Sequence, residues 1–177
     1  MTHKKILKLL TDSGISFVVI GGTALRIYNS PRFTHDIDIS IPVLQVDSAV
    51  ELFYDRGYYL VTDVDGSACF IAQSSEEALL WIENEKAGAV SFISLQEKPS
   101  RPAIPHAEID VSTQIDLIFE PGIPFTLLKK NAVPVDLGDF SFLIASAEDL
   151  LTMKENRSDS TEADEEDIRF LRRLLKK

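Results

Sequence analysis

The chain has little of several residue types that define large protein classes. Its one cysteine, Cys69, excludes an internal disulfide bond and fits a reducing compartment, so we expect the protein in the cytoplasm. Its three histidines are scattered, and no CxxC or HExxH pattern predicts a zinc site. No apolar run reaches the roughly 18 residues of a membrane-spanning helix, and the N-terminus is too charged for a signal peptide. We therefore expect no membrane partner.

Basic residues are scarce as well. The 177 residues include 18 Lys and Arg against 28 Asp and Glu, which gives a net charge of −10. The sequence contains no basic patch with interleaved aromatic residues, and this argues against broad nucleic-acid binding. The hydrophobic content of 45% is sufficient for a core. The length predicts one domain, or a core with a small helical addition.

The first informative segment is an apolar run that ends in two glycines. Residues 17–20 are apolar and rich in β-branched side chains, which predicts a short buried strand. Gly21 and Gly22 allow positive φ angles and the close approach of a ligand. Thr23 begins a short helix, and the start of a helix attracts phosphate through its unpaired N–H groups. A turn alone explains two glycines equally well.

An alternating strand follows, and it carries two carboxylates. Asp36 and Asp38 are separated by one residue, so in a strand they point to the same face, about 7 Å apart along the chain. The isoleucines at positions 37, 39 and 41 then face the core. Two carboxylates at this spacing suit Mg²⁺, which prefers oxygen ligands. The alternative is an ordinary solvated face, but Asp is disfavoured in strands and two like charges repel unless something neutralises them.

The combination of these elements resembles the signature of the nucleotidyltransferase superfamily that includes DNA polymerase beta. That signature is a Gly-Gly or Gly-Ser turn followed by Asp-x-Asp. The form found here, from Arg32 to Ile39, is similar to the branch that contains the AbiEii-type toxins and related minimal nucleotidyltransferases. The resemblance implies an α/β (α+β) core with a mixed sheet flanked by helices. It also implies Mg²⁺ or Mn²⁺ as cofactor and a nucleoside triphosphate as substrate.

Enzymes of this kind need a third carboxylate on a neighbouring strand. Residues 107–119 alternate between apolar and polar side chains, with Asp110 and Asp116 on the polar face. Asp116 matches the family's strand best, and Asp110 is the second choice. The alternative is an exposed strand face with no role. We predict that Asp36, Asp38 and Asp116 form the catalytic and metal-binding set.

The C-terminal part predicts two helices. Ser146 to Asp149 is similar to a capping box that opens the first helix, on which Lys154 and Arg157 share a face. The resemblance places this helix, and with it Lys154, near the triphosphate. Together with the first motif, this gives the predicted nucleotide-binding residues: Gly21, Gly22, Thr23, Arg32 and Lys154. A surface helix with routine charges is the alternative. The acidic linker after Arg157 departs from the family pattern, so the roles of Arg157, Asp164 and Asp167 stay open.

The sequence predicts a core over residues 1–145 and a C-terminal helical segment over 146–177, packed together as one domain. The predicted activity is Mg²⁺-dependent transfer of a nucleoside monophosphate to an acceptor hydroxyl. A tRNA end, a protein and a small molecule remain possible acceptors, and an antitoxin protein is a possible partner. The alternative function is a non-catalytic binding module or toxin–antitoxin component with the same fold.

Overall fold

The computed structural model describes residues 2–63, 68–95, 99, 101–105, 114–119, 121–157 and 161–176. Within these ranges the chain forms helices and strands in the following order: α1 (Thr2–Asp12), β1 (Val18–Val19), α2 (Gly21–Ile27), β2 (Ile37–Ser40), a 3₁₀ turn (Val43–Gln45), α3 (Val46–Tyr54), β3 (Tyr58–Asp63), β4 (Ala68–Ile71), α4 (Ser75–Glu85), β5 (Ala89–Ser94), β6 (Ala103–Pro105), β7 (Ile115–Ile118), α5 (Phe125–Asn131), β8 (Val133–Asp136), β9 (Ser141–Ile144), α6 (Ala147–Glu155) and α7 (Glu162–Leu174).

The strands form a mixed sheet in the order β6-β4-β3-β5-β7-β2-β1-β9-β8. The pairs β2–β7 and β1–β9 are parallel, and the other neighbours are antiparallel. Helices flank this sheet, so the predicted fold class is confirmed. No helix among the described residues combines the length and the hydropathy needed to cross a membrane.

The alternation in β2 works as the sequence predicts. Ile37, Ile39 and Ile41 are each 0% exposed and belong to the main hydrophobic core, while Asp38 lies on the opposite face of the strand. Burial of one such side chain stabilises the fold by about 1.5–3 kcal/mol. Because shifting the strand by one residue would exchange the two faces, these isoleucines fix the direction in which Asp38 points.

Of the predicted strand over residues 107–119, the structure describes residues 114–119. Its last part forms β7, in which Ile115 and Leu117 are buried and Asp116 lies on the opposite face, as predicted. The fallback carboxylate, Asp110, lies outside the described residues. The pairing of β7 with β2 brings Asp116 into the centre of the sheet.

The helix start at Ser146 differs from the prediction in one respect. The Ser146 hydroxyl accepts a hydrogen bond from the Asp149 N–H at 3.1 Å, which caps α6. In a capping box the Asp149 carboxylate would also accept a hydrogen bond from the Ser146 backbone N–H. Here this carboxylate instead accepts a bond from the Asn131 side chain at 3.2 Å. A complete capping box occurs instead at the start of α7, between Thr161 and Asp164.

Candidate active site

Three carboxylates meet where the two parallel strands β2 and β7 lie side by side. Asp38 and Asp116 are direct partners in the register of these strands, and Asp36 lies just before β2. One oxygen atom from each of the three residues lies within 4.8 Å of the others. The structure therefore brings together all three residues of the predicted carboxylate set, at a spacing that a single divalent cation can span.

Hydrogen bonds orient each carboxylate. Asp116 Oδ1 accepts two bonds, from Ser91 Oγ at 2.6 Å and from Gln114 Nε2 at 3.0 Å. Asp36 Oδ1 accepts a short bond from the Thr34 hydroxyl. Since both donors to Asp116 use the same oxygen, Oδ2 has no partner among these neighbours and can serve as a ligand. Sequence reasoning missed Ser91 and Gln114; a serine on the alternating strand β5 is a faint signal by itself.

Asp38 lies directly against the backbone at the start of α2. The Gly22 N–H donates to Asp38 Oδ2 at 3.3 Å. Gly21 has φ +57°, and a Cβ atom at this position would come within 1.8 Å of the same oxygen. Of the two glycines expected to allow positive φ, Gly21 adopts it and Gly22 does not. The close approach that we expected from a ligand is made by the carboxylate of Asp38, because β2 passes directly beside this turn.

The site carries more negative charge than its protein neighbours neutralise. Burial, followed by the charges of Asp36 and Asp116, raises the pKa of Asp38 to about 7, although the Gly22 N–H and Lys154 act in the opposite direction. Burial also raises the pKa of Asp116, against the effect of its hydrogen bonds from Ser91 and Gln114. A cluster of oxygen ligands with this excess of charge has the chemistry of a divalent-cation site. The residues present therefore fit such an ion.

Lys154 lies in a buried ion-pair cluster next to the carboxylates. Only 9% of the residue is exposed, so the alternative of an ordinary surface lysine is wrong. Its ammonium group contacts Asp164 Oδ1 at 2.6 Å and Asp167 Oδ2 at 2.9 Å. Burial opposes ionisation of Asp164, but the bonds from Lys154 and Thr161 outweigh it and hold the pKa of Asp164 well below its usual range. Asp164 and Asp167 therefore pair with Lys154 across the two C-terminal helices.

The other predicted nucleotide-binding residues differ in where they lie. The Arg32 guanidinium forms a short contact with Asp167 and lines a second, smaller cavity beside α7. The Thr23 hydroxyl donates to the Asp36 carbonyl at 3.1 Å. Arg157 Nη1 lies 3.5 Å from Asp164 Oδ1. Of the two basic residues predicted to bind the nucleotide, Lys154 lines the same cavity as Asp38. Arg32 does not line that cavity.

A cavity of about 820 Å³ opens over the carboxylates. Gly21, Asp38, Asp116 and Lys154 line one part of it, and strands β3, β4 and β5 line another. Trp81 on α4 is only partly buried, and it lines this cavity as well. Cavities of this size are typical of sites for small ligands.

Comparison with known proteins identifies the family. The family described as nucleotidyl transferase AbiEii toxin, type IV toxin–antitoxin system, matches residues 8–154, which is most of the chain. The chain belongs to the AbiEii nucleotidyltransferase family. It is therefore a nucleotidyltransferase, as the resemblance predicted. The match ends at Lys154, so the two acidic partners of this lysine on α7 lie beyond it.

Solved structures show the same fold. The lincosamide antibiotic adenylyltransferase LnuA, with lincomycin bound, is similar with a TM-score of 0.56 and 14% identity, over 98% of this chain and 96% of that chain. A Thermotoga maritima protein named as a nucleotidyltransferase is similar with a TM-score of 0.51 and 14% identity, over 98% and 90% of the two chains. No curated protein sequence matches the chain significantly.

Proposed function

We propose that this nucleotidyltransferase moves a nucleoside monophosphate from a nucleoside triphosphate to an acceptor hydroxyl, with Mg²⁺ held by Asp36, Asp38 and Asp116. The observation that carries the proposal is the convergence of these three carboxylates beside the turn at Gly21. Asp36, Asp38 and Asp116 would hold the ion, which when bound would supply Lewis-acid chemistry: partial neutralisation of phosphate charge and a lower pKa for the attacking hydroxyl. The same convergence favours an enzyme over a binding module that keeps only the fold.

The protein's own residues contribute mainly by orientation and charge. Ser91 and Gln114 both donate to Asp116 Oδ1, and we propose that they hold this carboxylate so that Oδ2 serves as the metal ligand. The start of α2, from Gly21 to Thr23, is the proposed cradle for the triphosphate, because backbone N–H groups at a helix start attract phosphate. Lys154 has three N–H donors, of which Asp164 and Asp167 take two. The third is proposed to stabilise the charge that develops on the leaving pyrophosphate.

A transfer assay tests this proposal. The protein is incubated with Mg²⁺, a cell extract and each nucleoside triphosphate in turn, labelled at the α-phosphate. We expect label to enter one fraction of the extract, and we expect Asp116→Asn to abolish this while it keeps the circular-dichroism spectrum of the wild type. The proposal fails if the folded Asp116→Asn variant transfers label at the wild-type rate.

The family description also supports a finer proposal, that the protein is the toxin of a toxin–antitoxin pair with an antitoxin protein as partner. Transfer to an essential acceptor would stop growth. Induced expression of the wild type should therefore arrest a bacterial culture, whereas Asp38→Asn at the same protein level should not. Equal arrest by both proteins would separate toxicity from nucleotidyl transfer and refute this assignment.

A further inference from the structure

The cavity over the carboxylates follows a single row of side chains across four strands. Asp38 on β2 pairs with Asp116 on β7, and Asp116 pairs with Ser91 on β5. Ser91 in turn pairs with Val61 on β3. Direct cross-strand partners share one face of a sheet, and all four residues line the same cavity. The cavity therefore extends from the carboxylates over β5 and β3, away from the start of α2.

The chemistry of the transfer reaction predicts from which side the acceptor reaches the carboxylates. This prediction rests on the proposed function. The acceptor oxygen forms a bond to the α-phosphorus while the bond from this phosphorus to the pyrophosphate oxygen breaks. The bonding electrons leave with pyrophosphate, and the hydroxyl proton goes to water. The attacking and leaving oxygens lie roughly in line. With the triphosphate at Gly21, on the β2 side, the acceptor must approach from the side of β5 and β3.

We infer that the part of the cavity over β3, β4 and β5 is the acceptor site, and that its ligand is a hydroxyl-bearing small molecule with an apolar body. We call this part the acceptor compartment and define it by Val61, Cys69, Trp81, Ser91 and Ile93. Ser91 lies at its inner end, where its hydroxyl donates to Asp116. An acceptor hydroxyl at this end would lie beside the carboxylate that faces it.

The lining of the acceptor compartment supports an apolar ligand. Ile93 is 1% exposed and forms a small hydrophobic cluster with Tyr59 and Ile71, against which Val61 packs. These contacts give the compartment a fixed floor. Trp81 remains partly exposed, and its ring offers a broad apolar surface to a ligand. Apolar walls with a few polar groups at one end are typical of small-molecule sites.

Charge argues against a nucleic-acid acceptor in this position. Among the described residues that line the cavity from β3, β4, α4 and β5, none is basic, and Asp63 adds a carboxylate. The chain as a whole carries a net charge of −10. Nucleic-acid binding depends on basic side chains that neutralise phosphates. The acceptor compartment lacks such groups in the part that the structure describes.

A substitution that fills the compartment separates acceptor binding from nucleotide binding. Val61→Trp places a large side chain in the cavity at a strand position that tolerates aromatic residues. Val133→Trp is the matched control, because Val133 is a partly exposed valine on β8, at the far edge of the sheet. Trp81→Ala is a second variant that alters the compartment without filling it. Each protein is titrated with Mn²⁺ and a non-hydrolysable triphosphate by calorimetry, which also verifies that the variants fold.

Transfer is then measured with α-phosphate-labelled triphosphates and three separate pools from a bacterial extract: metabolites filtered free of macromolecules, total RNA, and protein. We expect label in the metabolite pool. Val61→Trp should reduce this transfer by about tenfold or more because the acceptor loses its productive position, with triphosphate affinity unchanged. Trp81→Ala should reduce it in the same direction, and Val133→Trp should behave as the wild type.

Three results would overturn the inference. Label in RNA or protein would show that the acceptor is a macromolecule. Wild-type transfer by folded Val61→Trp would show that the acceptor binds elsewhere. An equal loss of triphosphate affinity and transfer in Val61→Trp would show that the compartment holds the nucleotide. A wild-type protein that labels none of the pools would instead refute the proposed function itself.

Discussion

Neutralising Asp38 should change how the stability of the metal-free protein depends on pH. The folded protein holds the pKa of this carboxyl at about 7, whereas the ordinary value is 3.8. Between pH 3.8 and about 7, the Asp38 carboxyl is deprotonated in the unfolded chain and still protonated in the folded protein. Each rise in pH within this range therefore favours the unfolded chain further. Each pKa unit corresponds to 1.36 kcal/mol, so the free energy of unfolding should fall by about 4 kcal/mol.

The sign of this effect follows from the direction of the shift. The contribution of Asp38 is fully present below pH 3.8 and is lost as the pH rises through about 7, after which it stays constant. Asp38→Asn cannot titrate and therefore lacks this loss. The free energy of unfolding of the variant, relative to wild type, should become more favourable by about 4 kcal/mol from acidic to mildly alkaline pH.

Urea unfolding in the presence of a chelator, followed by circular dichroism at several pH values, measures this difference. Glu51→Gln is the control, because it removes one carboxylate from an exposed position in the middle of α3, outside the lining of the cavity. At alkaline pH, Mn²⁺ at a hundred times its Kd should stabilise the wild type by about 2.7 kcal/mol and leave Asp38→Asn unchanged. A pH-independent difference between Asp38→Asn and wild type would refute the electrostatic argument.

Three further substitutions test the surroundings of the carboxylates. Gly21→Ala should destabilise the protein by at least about 1–2 kcal/mol in urea unfolding, because φ is positive and the new Cβ meets Asp38. Gly138→Ala is the control for φ alone, because Gly138 also has positive φ but no atom lies within 4 Å of the added Cβ. Ser91→Ala should weaken Mn²⁺ binding in calorimetry, and Ser91→Thr, which keeps the hydroxyl, should restore part of it; equal Mn²⁺ affinity in Ser91→Ala would exclude an orienting role. Lys154→Ala should lower the free energy of unfolding by about 3–5 kcal/mol, because Asp164 and Asp167 lose their buried partner. Leu171→Ala, at a buried position on α7, is the equally destabilised control. A larger loss of triphosphate affinity in Lys154→Ala than in this control would support the proposed contact with pyrophosphate.

The sequence predicts the centre of the sheet well because local patterns determine it. The alternation around Asp38 and Asp116 places both carboxylates on one face, and parallel pairing of β2 with β7 then makes them direct neighbours. The two glycines before α2 have a conformational signature that a sequence shows directly. The family resemblance supplied what alternation cannot, namely that the strand of Asp116 lies next to the strand of Asp38.

Other contacts of the site could not be predicted because they join residues that are far apart in sequence. The hydrogen bond from Ser91 to Asp116 spans 25 positions, and the contact of Arg32 with Asp167 spans 135. Neither has a local pattern, since a serine on a strand and an arginine in a loop are common. The predicted cap of α6 is present in one half only, for a similar reason: the Ser146 hydroxyl accepts from the Asp149 N–H, but the partner of the Asp149 carboxylate, Asn131, comes from another helix.

The ion pairs around Asp167 connect the C-terminal helices to the loop that leads into the carboxylate site. Asp167 on α7 contacts both Lys154 on α6 and Arg32, four residues before Asp36. Asp167 is 1% exposed, whereas the Arg32 side chain is 33% exposed. Removal of Lys154 or Arg32 would therefore leave the buried Asp167 carboxylate without one of its partners. The predicted division at residue 145 therefore need not produce two units of independent stability. We expect α7 to unfold together with the sheet, and hydrogen exchange of the α7 amides at the rate of the β2 amides would support this. Much faster exchange of the α7 amides would contradict this expectation and would show that the C-terminal segment unfolds independently of the sheet.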